Sequence, residues 1–244
     1  MRESLIVLGV CLVVCVGTAY GQILITHSGA NDPETEGWGQ SYYDYNGNWS
    51  VEARPLASDP AFPEVAAWQI EADNGEISYG YELTGEEQAA AATNGWILTG
   101  TWRMEWCHEN QNFQGGNWVA LRLADGWLGP RMGYGETTDD RAAKIVGPGN
   151  PVVDLGPDGY HTVQLVYDPA DGMVDVYANG ALATEMAAGD VNVNKILFGG
   201  ANAGNANDGI NNYSFVQFEI VPEPATIALL AMAVPALLRL RRKA

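Results

Sequence analysis

The sequence predicts an all-β sandwich of two antiparallel sheets with one short helix. Three observations carry that reading. Short runs of alternating apolar and polar residues recur, separated by Gly, Asn, Asp and Pro, as in hairpin-linked strands buried on one face. Only one stretch, around Thr84 to Gly95, carries helix signals. Of three cysteines, Cys11 and Cys15 lie in an N-terminal apolar run, so the domain holding Cys107 must rest on a core rather than on disulfides.

Taken in order, residues 65–72 and 76–83 read as two alternating strands separated by Asn74-Gly75, a strong tight-turn dipeptide. Thr84-Gly85-Glu86-Glu87 fits a capping box, with the Thr84 hydroxyl meeting the backbone N–H of Glu87. Residues 88–92 are strong helix formers, and Asn94-Gly95 can stop the helix in the left-handed conformation. Residues 96–106 and 118–123 follow as strands. The clearest pair is 160–168 and 173–177, joined by Pro169-Ala170-Asp171-Gly172 and closed by Asn179-Gly180 before a further strand at 181–186. In this pair Val163, Leu165, Val174 and Val176 share one face, while Gln164 and Asp175 share the other. Residues 195–198 and 213–220 are the last strands, and the Gly- and Asn-rich stretch 199–212 reads as a loop.

The two ends differ from this pattern. Arg2, an apolar run over residues 5–16, and small residues at Ala19 and Gly21 form an export signal, cleaved near Gln22. At the other end Val221-Pro222-Glu223-Pro224 precedes an apolar run over 225–238, followed by Arg239, Arg241, Arg242 and Lys243. Cations are costly in hydrocarbon and hold such an end on the cytoplasmic side. The run is shorter than the ~20 residues of a full span. Ile220, Val221 and a snorkelling Arg239 extend it to a marginal one, so a plain membrane anchor is the alternative. The order of Pro-Glu-Pro, apolar helix and basic cluster resembles the PEP-CTERM sorting signal of exported bacterial proteins. That resemblance implies recognition by an exosortase, a membrane-embedded processing enzyme, in a bacterium that makes an exopolysaccharide matrix. The expected organisation is a signal peptide over 1–21, a sandwich over 22–220 and a sorting signal over 221–244. The protein is then membrane-anchored before processing, and at the cell surface or in the matrix after it.

Four stretches of the middle carry a second resemblance. They are Ala67-Trp68-Gln69-Ile70, Gly95-Trp96-Ile97-Leu98, Tyr160-His161-Thr162 through Tyr177-Ala178-Asn179-Gly180, and Ile196-Leu197-Phe198-Gly199 leading to Phe215-Val216-Gln217-Phe218-Glu219. Their order resembles concanavalin A-like, laminin-G-like jelly rolls of exported bacterial proteins. The resemblance covers most of residues 65–220. It implies a strand within residues 23–62 that pairs with the last strand.

The net charge of −18 leaves seven basic residues between the two signals: Arg54, Arg103, Arg122, Arg131, Arg141, Lys144 and Lys195. A surface so acidic repels nucleic acid and anionic polymers and suits divalent cations. Glu71, Asp73 and Glu76 spell Glu-x-Asp-x-x-Glu, which resembles the catalytic strand of laminarinase-like glucanases. That resemblance implies a retaining glycoside hydrolase, with two carboxyls about 5–5.5 Å apart. Against it, Asn74-Gly75 should fold the stretch into a solvated hairpin tip. Asn202, Asn205, Asn207 and Asp208, and separately Glu136, Asp139 and Asp140, offer hard oxygen ligands for Ca2+, without the spacing of a calcium loop. Among eight tryptophans, Trp68, Trp96, Trp102 and Trp118 fall on strand pattern and read as core. Trp38, Trp49 and Trp127 lie near Gly-rich turns and are the candidates for stacking on sugar rings. His27, His108 and His161 show no metal spacing, and His161 reads as a structural hydrogen-bonding residue. Adjacency of Cys107 and His108 does not orient a thiolate–imidazole pair. Two function classes follow: a non-catalytic exported module that binds polysaccharide or builds structure, or a retaining glycoside hydrolase using Glu71, Asp73 and Glu76; protein–protein adhesion through the same surface is a third.

Overall fold

The computed structural model describes residues 21–107, 118–135, 139–199 and 209–222, with side chains described outside 42–49 and 72–76. Its strands are β1 (Gln22–Ser28), β2 (Gly39–Arg54), β3 (Ala67–Glu82), β4 (Trp96–Cys107), β5 (Trp118–Leu123), β6 (Trp127–Tyr134), β7 (Asp140–Val146), β8 (Val152–Pro157), β9 (His161–Asp168), β10 (Met173–Ala178), β11 (Ala181–Ala187), β12 (Val193–Gly199) and β13 (Gly209–Ile220). One α-helix, α1 (Gly85–Asn94), interrupts them, and a 3-10 turn spans Pro33–Glu36. The expected all-β sandwich of two antiparallel sheets with one short helix is what the chain forms. No helix among the described residues is long and apolar enough to cross a membrane. The export signal, the tail beyond Pro222, His108, Glu136, Asn202, Asn205, Asn207 and Asp208 lie outside the described residues.

One layer runs β11-β10-β9-β4-β13, the other β12-β5-β6-β7-β8, and β3 joins them. Residues 68–72 of β3 pair with β13, and residues 78–82 pair with β12. The second half of β13 pairs instead with β1, from Phe215↔Ser28 to Ile220↔Gln22. This is the N-terminal strand expected against the last one.

The hairpin expected at Asn74-Gly75 does not form, because β3 is continuous through it. The reason lies in its neighbours. β2 follows β3 along both halves, with Asp44 opposite Gly75 and Asn48 opposite Asp73, so the extra residues bulge out of β2. Pairing with β2 through this stretch, and with β13 and β12 before and after it, overrides the local turn preference of Asn-Gly. The loop expected over 199–212 is likewise shorter at its end, since Gly209 to Asn212 already belong to β13.

Other local readings hold. The capping box is present: the Glu87 N–H donates to Thr84 Oγ1 at 3.3 Å, and the Thr84 N–H donates to Glu87 Oε2 at 2.8 Å. Gly95 ends α1 with φ +89° and ψ 169°, a positive-φ conformation open to glycine but not the expected left-handed helical one; its N–H still returns to Ala91 O at 3.1 Å. In the β9–β10 hairpin Val163, Leu165, Val174 and Val176 are buried, and Gln164 and Asp175 face the other way, half-exposed. Asn179 and Gly180 both take positive φ, as the tight turn into β11 requires. Trp96, Trp102, Tyr79, Tyr213, Phe198 and Phe218 fill the space between the layers. His161 is buried and structural, with Nε2 3.0 Å from Pro157 O and Nδ1 3.3 Å from the Asn179 amide.

Candidate functional site: a tryptophan–arginine face

Two short segments repeat one pattern across a hairpin. Trp118-Val119-Ala120-Leu121-Arg122 forms β5, and Trp127-Leu128-Gly129-Pro130-Arg131 begins β6. Both are Trp-x-x-x-Arg, so antiparallel pairing sets each tryptophan opposite the other segment's arginine. The register is Trp118↔Arg131 and Arg122↔Trp127. A step of four keeps Trp and Arg on the same face of each strand. Leu121 and Leu128, on the opposite face, enter the core.

The pairs make contact. The Arg131 guanidinium lies 3.2 Å from the centroid of the Trp118 ring, and that of Arg122 lies 4.7 Å from the centroid of Trp127. The two indoles meet edge to face at 5.7 Å. They rest on Ala120 and Leu197, a small apolar floor on the outer side of the sheet. Such a cation on an indole is worth about 0.5–2 kcal/mol, more as it is desolvated. Burial pushes the Arg131 guanidinium down to about 10, which leaves it charged at neutral pH. Lys144 lies beside Arg131 on β7, and Lys195 lies beside Arg122 on β12. A Cβ at Gly80 would collide with the Lys195 stem, so that glycine makes room for it.

The other three cations are used internally. Arg103 clamps Asp158 through Nε and Nη2, at 3.2 and 2.8 Å, and reaches Asp59 at 2.8 Å. Arg141 reaches Asp158 at 3.0 Å, tying β7 of one layer to β4 of the other. Arg54 reaches Glu105 at 2.6 Å and Asn212 at 3.0 Å. The Phe62 ring covers the Arg103 guanidinium at 4.7 Å. Burial pushes the Asp158 carboxyl up, but the Arg103 hydrogen bonds and the charges of Arg141 and Arg103 outweigh it and hold the group below its ordinary value. Three guanidiniums face three carboxylates, and the cluster pins the segment over 55–66 to the sheet.

The sequence-predicted stacking residues separate here. Trp38 is 2 % exposed, with its ring edge on Phe198 and its Nε1 donating to Thr26 O at 3.3 Å, so it is core and cannot meet a sugar. It falls near Gly37 and Gly39, but the 3-10 turn between β1 and β2 folds it inward. Trp49 lies on β2 opposite Ala72, and its side chain is not among those described. Trp127 is half-buried on the tryptophan–arginine face. Trp68, Trp96 and Trp102 are core as expected. Trp118 is buried too, at 3 %, but on the outer face beneath Arg131 rather than between the layers. Trp106, 42 % exposed, was not anticipated. A register shift at Glu105, between Met104↔Asn211 and Trp106↔Ile210, turns Trp106 outward and Cys107 inward. The signal that would have found the site was the repeated Trp-x-x-x-Arg.

Glu71 is exposed and accepts from Ser50 Oγ at 3.3 Å. It stands five residues from Glu76 on one continuous strand, a rise of ~17 Å. A bulge in β3 would be needed to bring both positions to one face, and the irregularity lies in β2. Asp140 begins β7 with Asp139 just before it. Among the described residues, no three His, Cys, Asp or Glu side chains converge as a metal site.

No family model matches the chain, and no curated protein matches it in sequence. Its fold does have solved relatives. The carbohydrate esterase of the Shiga toxin-encoding bacteriophage phi24B matches with a TM-score of 0.60 at 10% identity, over 82% of this chain and 99% of that one. The Trypanosoma rangeli sialidase, in complex with 2,3-difluorosialic acid, matches with a TM-score of 0.51 at 12% identity, over 86% of this chain and 32% of that one. The class these similarities define is the jelly-roll-like β-sandwich.

Proposed function

We propose that this chain is an exported, non-catalytic β-sandwich that binds polysaccharide and is sorted through an exosortase to the cell envelope or an exopolysaccharide matrix. One observation carries the binding reading: four basic side chains and two indoles gather on the outer face of one sheet, over a small apolar floor of Ala120 and Leu197. The fold supports it, since a carbohydrate esterase and a sialidase use related sandwiches. The sorting reading rests on the order of the C-terminal parts and on where the domain ends. β13 stops at Ile220, the Val221 N–H donates to Gly95 O at 3.0 Å, and Pro222 of the motif follows at once. The non-catalytic reading rests on the unbulged β3 and the ~17 Å between positions 71 and 76, against the about 5–5.5 Å between carboxyls of a retaining pair. Among the described residues, the thirteen strands and the buried core lie within residues 22–220. That segment, applied to a glycan array with and without calcium, is expected to retain a restricted set of polysaccharides. Retention of none under either condition would end the binding reading.

A further inference from the structure

We propose that the tryptophan–arginine face binds an anionic polysaccharide, bearing carboxylate or sulfate groups, and that its tryptophans hold arginines rather than stack on sugars. This rests on the binding reading above and names the ligand class. The chain is acidic overall, yet its cations are sorted. Arg54, Arg103 and Arg141 are tied to Glu105, Asp59 and Asp158. The other four basic residues of the sandwich all lie on one face.

They form two rows. Lys195 sits beside Arg122, and Arg131 sits beside Lys144. Four residues along β5 and β6 separate the rows, ~13 Å at ~3.3 Å per residue. Between them lie Leu197, Ala120 and Gly129, which project no polar group. Lys195 is paired with Glu82 at 3.0 Å, whereas Arg122 and Lys144 meet no carboxylate within salt-bridge distance among the described residues.

The indoles decide what this face offers. Trp118 lies beneath the Arg131 guanidinium. Trp127 has Arg122 over its ring and packs against Trp118, Ala120 and Leu197. The cation turned outward is therefore the exposed Arg122 guanidinium laid on Trp127, with Arg131 partly buried on Trp118. An arginine laid on an indole has lost much of its side-chain freedom before any ligand arrives, and its planar fork matches paired oxygens of a carboxylate or sulfate. A flat floor with cations at both ends suits a polymer carrying repeated negative charge. The acidic surface elsewhere repels the same polymer, confining contact to this face.

The full chain, extracted in mild detergent, is titrated calorimetrically with polygalacturonate, dextran sulfate, uncharged dextran and duplex DNA, at low and high salt. Binding is expected to a charged polysaccharide, weakened by salt, and not to dextran or DNA. Polygalacturonate alone identifies carboxylate as the charge read, and dextran sulfate alone identifies sulfate. The double variant R122Q/K144Q should bind about tenfold more weakly while still melting cooperatively, its melting temperature lowered by no more than the few degrees that loss of the Arg122–Trp127 contact costs, and K144R should retain binding. Polyanion binding unaltered in R122Q/K144Q overturns the proposal, as does DNA bound as tightly as either polymer. Dextran bound equally by both proteins refutes the anionic ligand and leaves the module a glycan binder. Failure to bind any polymer overturns this proposal and the binding reading together.

Discussion

Arg103 and Arg122 put the same side chain to different uses. The first is buried among Asp59, Asp158 and Phe62, and the second lies on an indole at the surface. His27 is the residue whose environment makes the sharpest statement about pH. It is buried and stacked on Phe198, with Nδ1 2.6 Å from Glu36 Oε2. Its Nε2 makes no well-formed hydrogen bond among the described residues, and the Tyr213 backbone gives a second ring proton only partial support. Burial pulls its pKa below 6.5 and outweighs the opposing pull of Glu36. The unfolded chain therefore binds a proton near 6.5 that the folded chain refuses until lower pH. Stability falls as pH drops from neutral through 6.5, then levels off below the folded-state pKa. Melting of the wild type near pH ~7.5 and pH ~5 should show this loss, and His27→Gln should show a smaller one. His161, lowered by burial in the same way, keeps its share in the variant. Equal losses in both proteins would mean that His27 titrates normally in the fold.

At the scale of elements, the β9–β10 hairpin has the most determined register. Val174 lies opposite Tyr167 and faces the core with Val176, Val163 and Leu165. Val174→Asp would bury an unpaired carboxylate and should cost ~3 kcal/mol or more, measured by denaturant unfolding or as a collapse of soluble yield. A neutral result would place Val174 on the outer face. This hairpin was legible because its alternation is clean and its turns are Asp-Gly and Asn-Gly. The elements that were not legible lack one or the other. β6 carries Gly129, Pro130 and Gly133, residues that read as strand breakers and are tolerated because neighbours on both sides hold the strand. β2 begins with Gly39-Gln40-Ser41-Tyr42 and bulges between Asp44 and Asn48, so no two-residue period survives in it. At Asn74-Gly75 the local turn signal was real but lost to pairing with β2 there and with β13 and β12 on either side of it. The site failed for a related reason. Each Trp-x-x-x-Arg is visible by itself, but only the antiparallel register shows that the two segments face each other in inverted order. Trp38 misled because nearness to glycine indicates a turn, not which way the side chain points.

At the scale of the whole molecule, the proposed export signal and sorting motif flank the sandwich, and Pro222 lies two residues after the last strand. If Pro222-Glu223-Pro224 is read by a processing enzyme, Glu223→Ala should leave export intact and trap the protein in the membrane fraction of the native host. Release of variant and parent to the same extent would remove the sorting reading without touching the fold. On the proposed function, the sandwich holds polysaccharide and does not cut it. The most direct measurement incubates residues 22–220 with laminarin, agar, carrageenan and polygalacturonate, and follows polymer retention and new reducing ends in the same samples. Retention of at least one polymer is expected, with no release of reducing sugar over long incubation. Release that disappears in Glu71→Gln or Glu76→Gln would contradict it and make the chain a glycoside hydrolase.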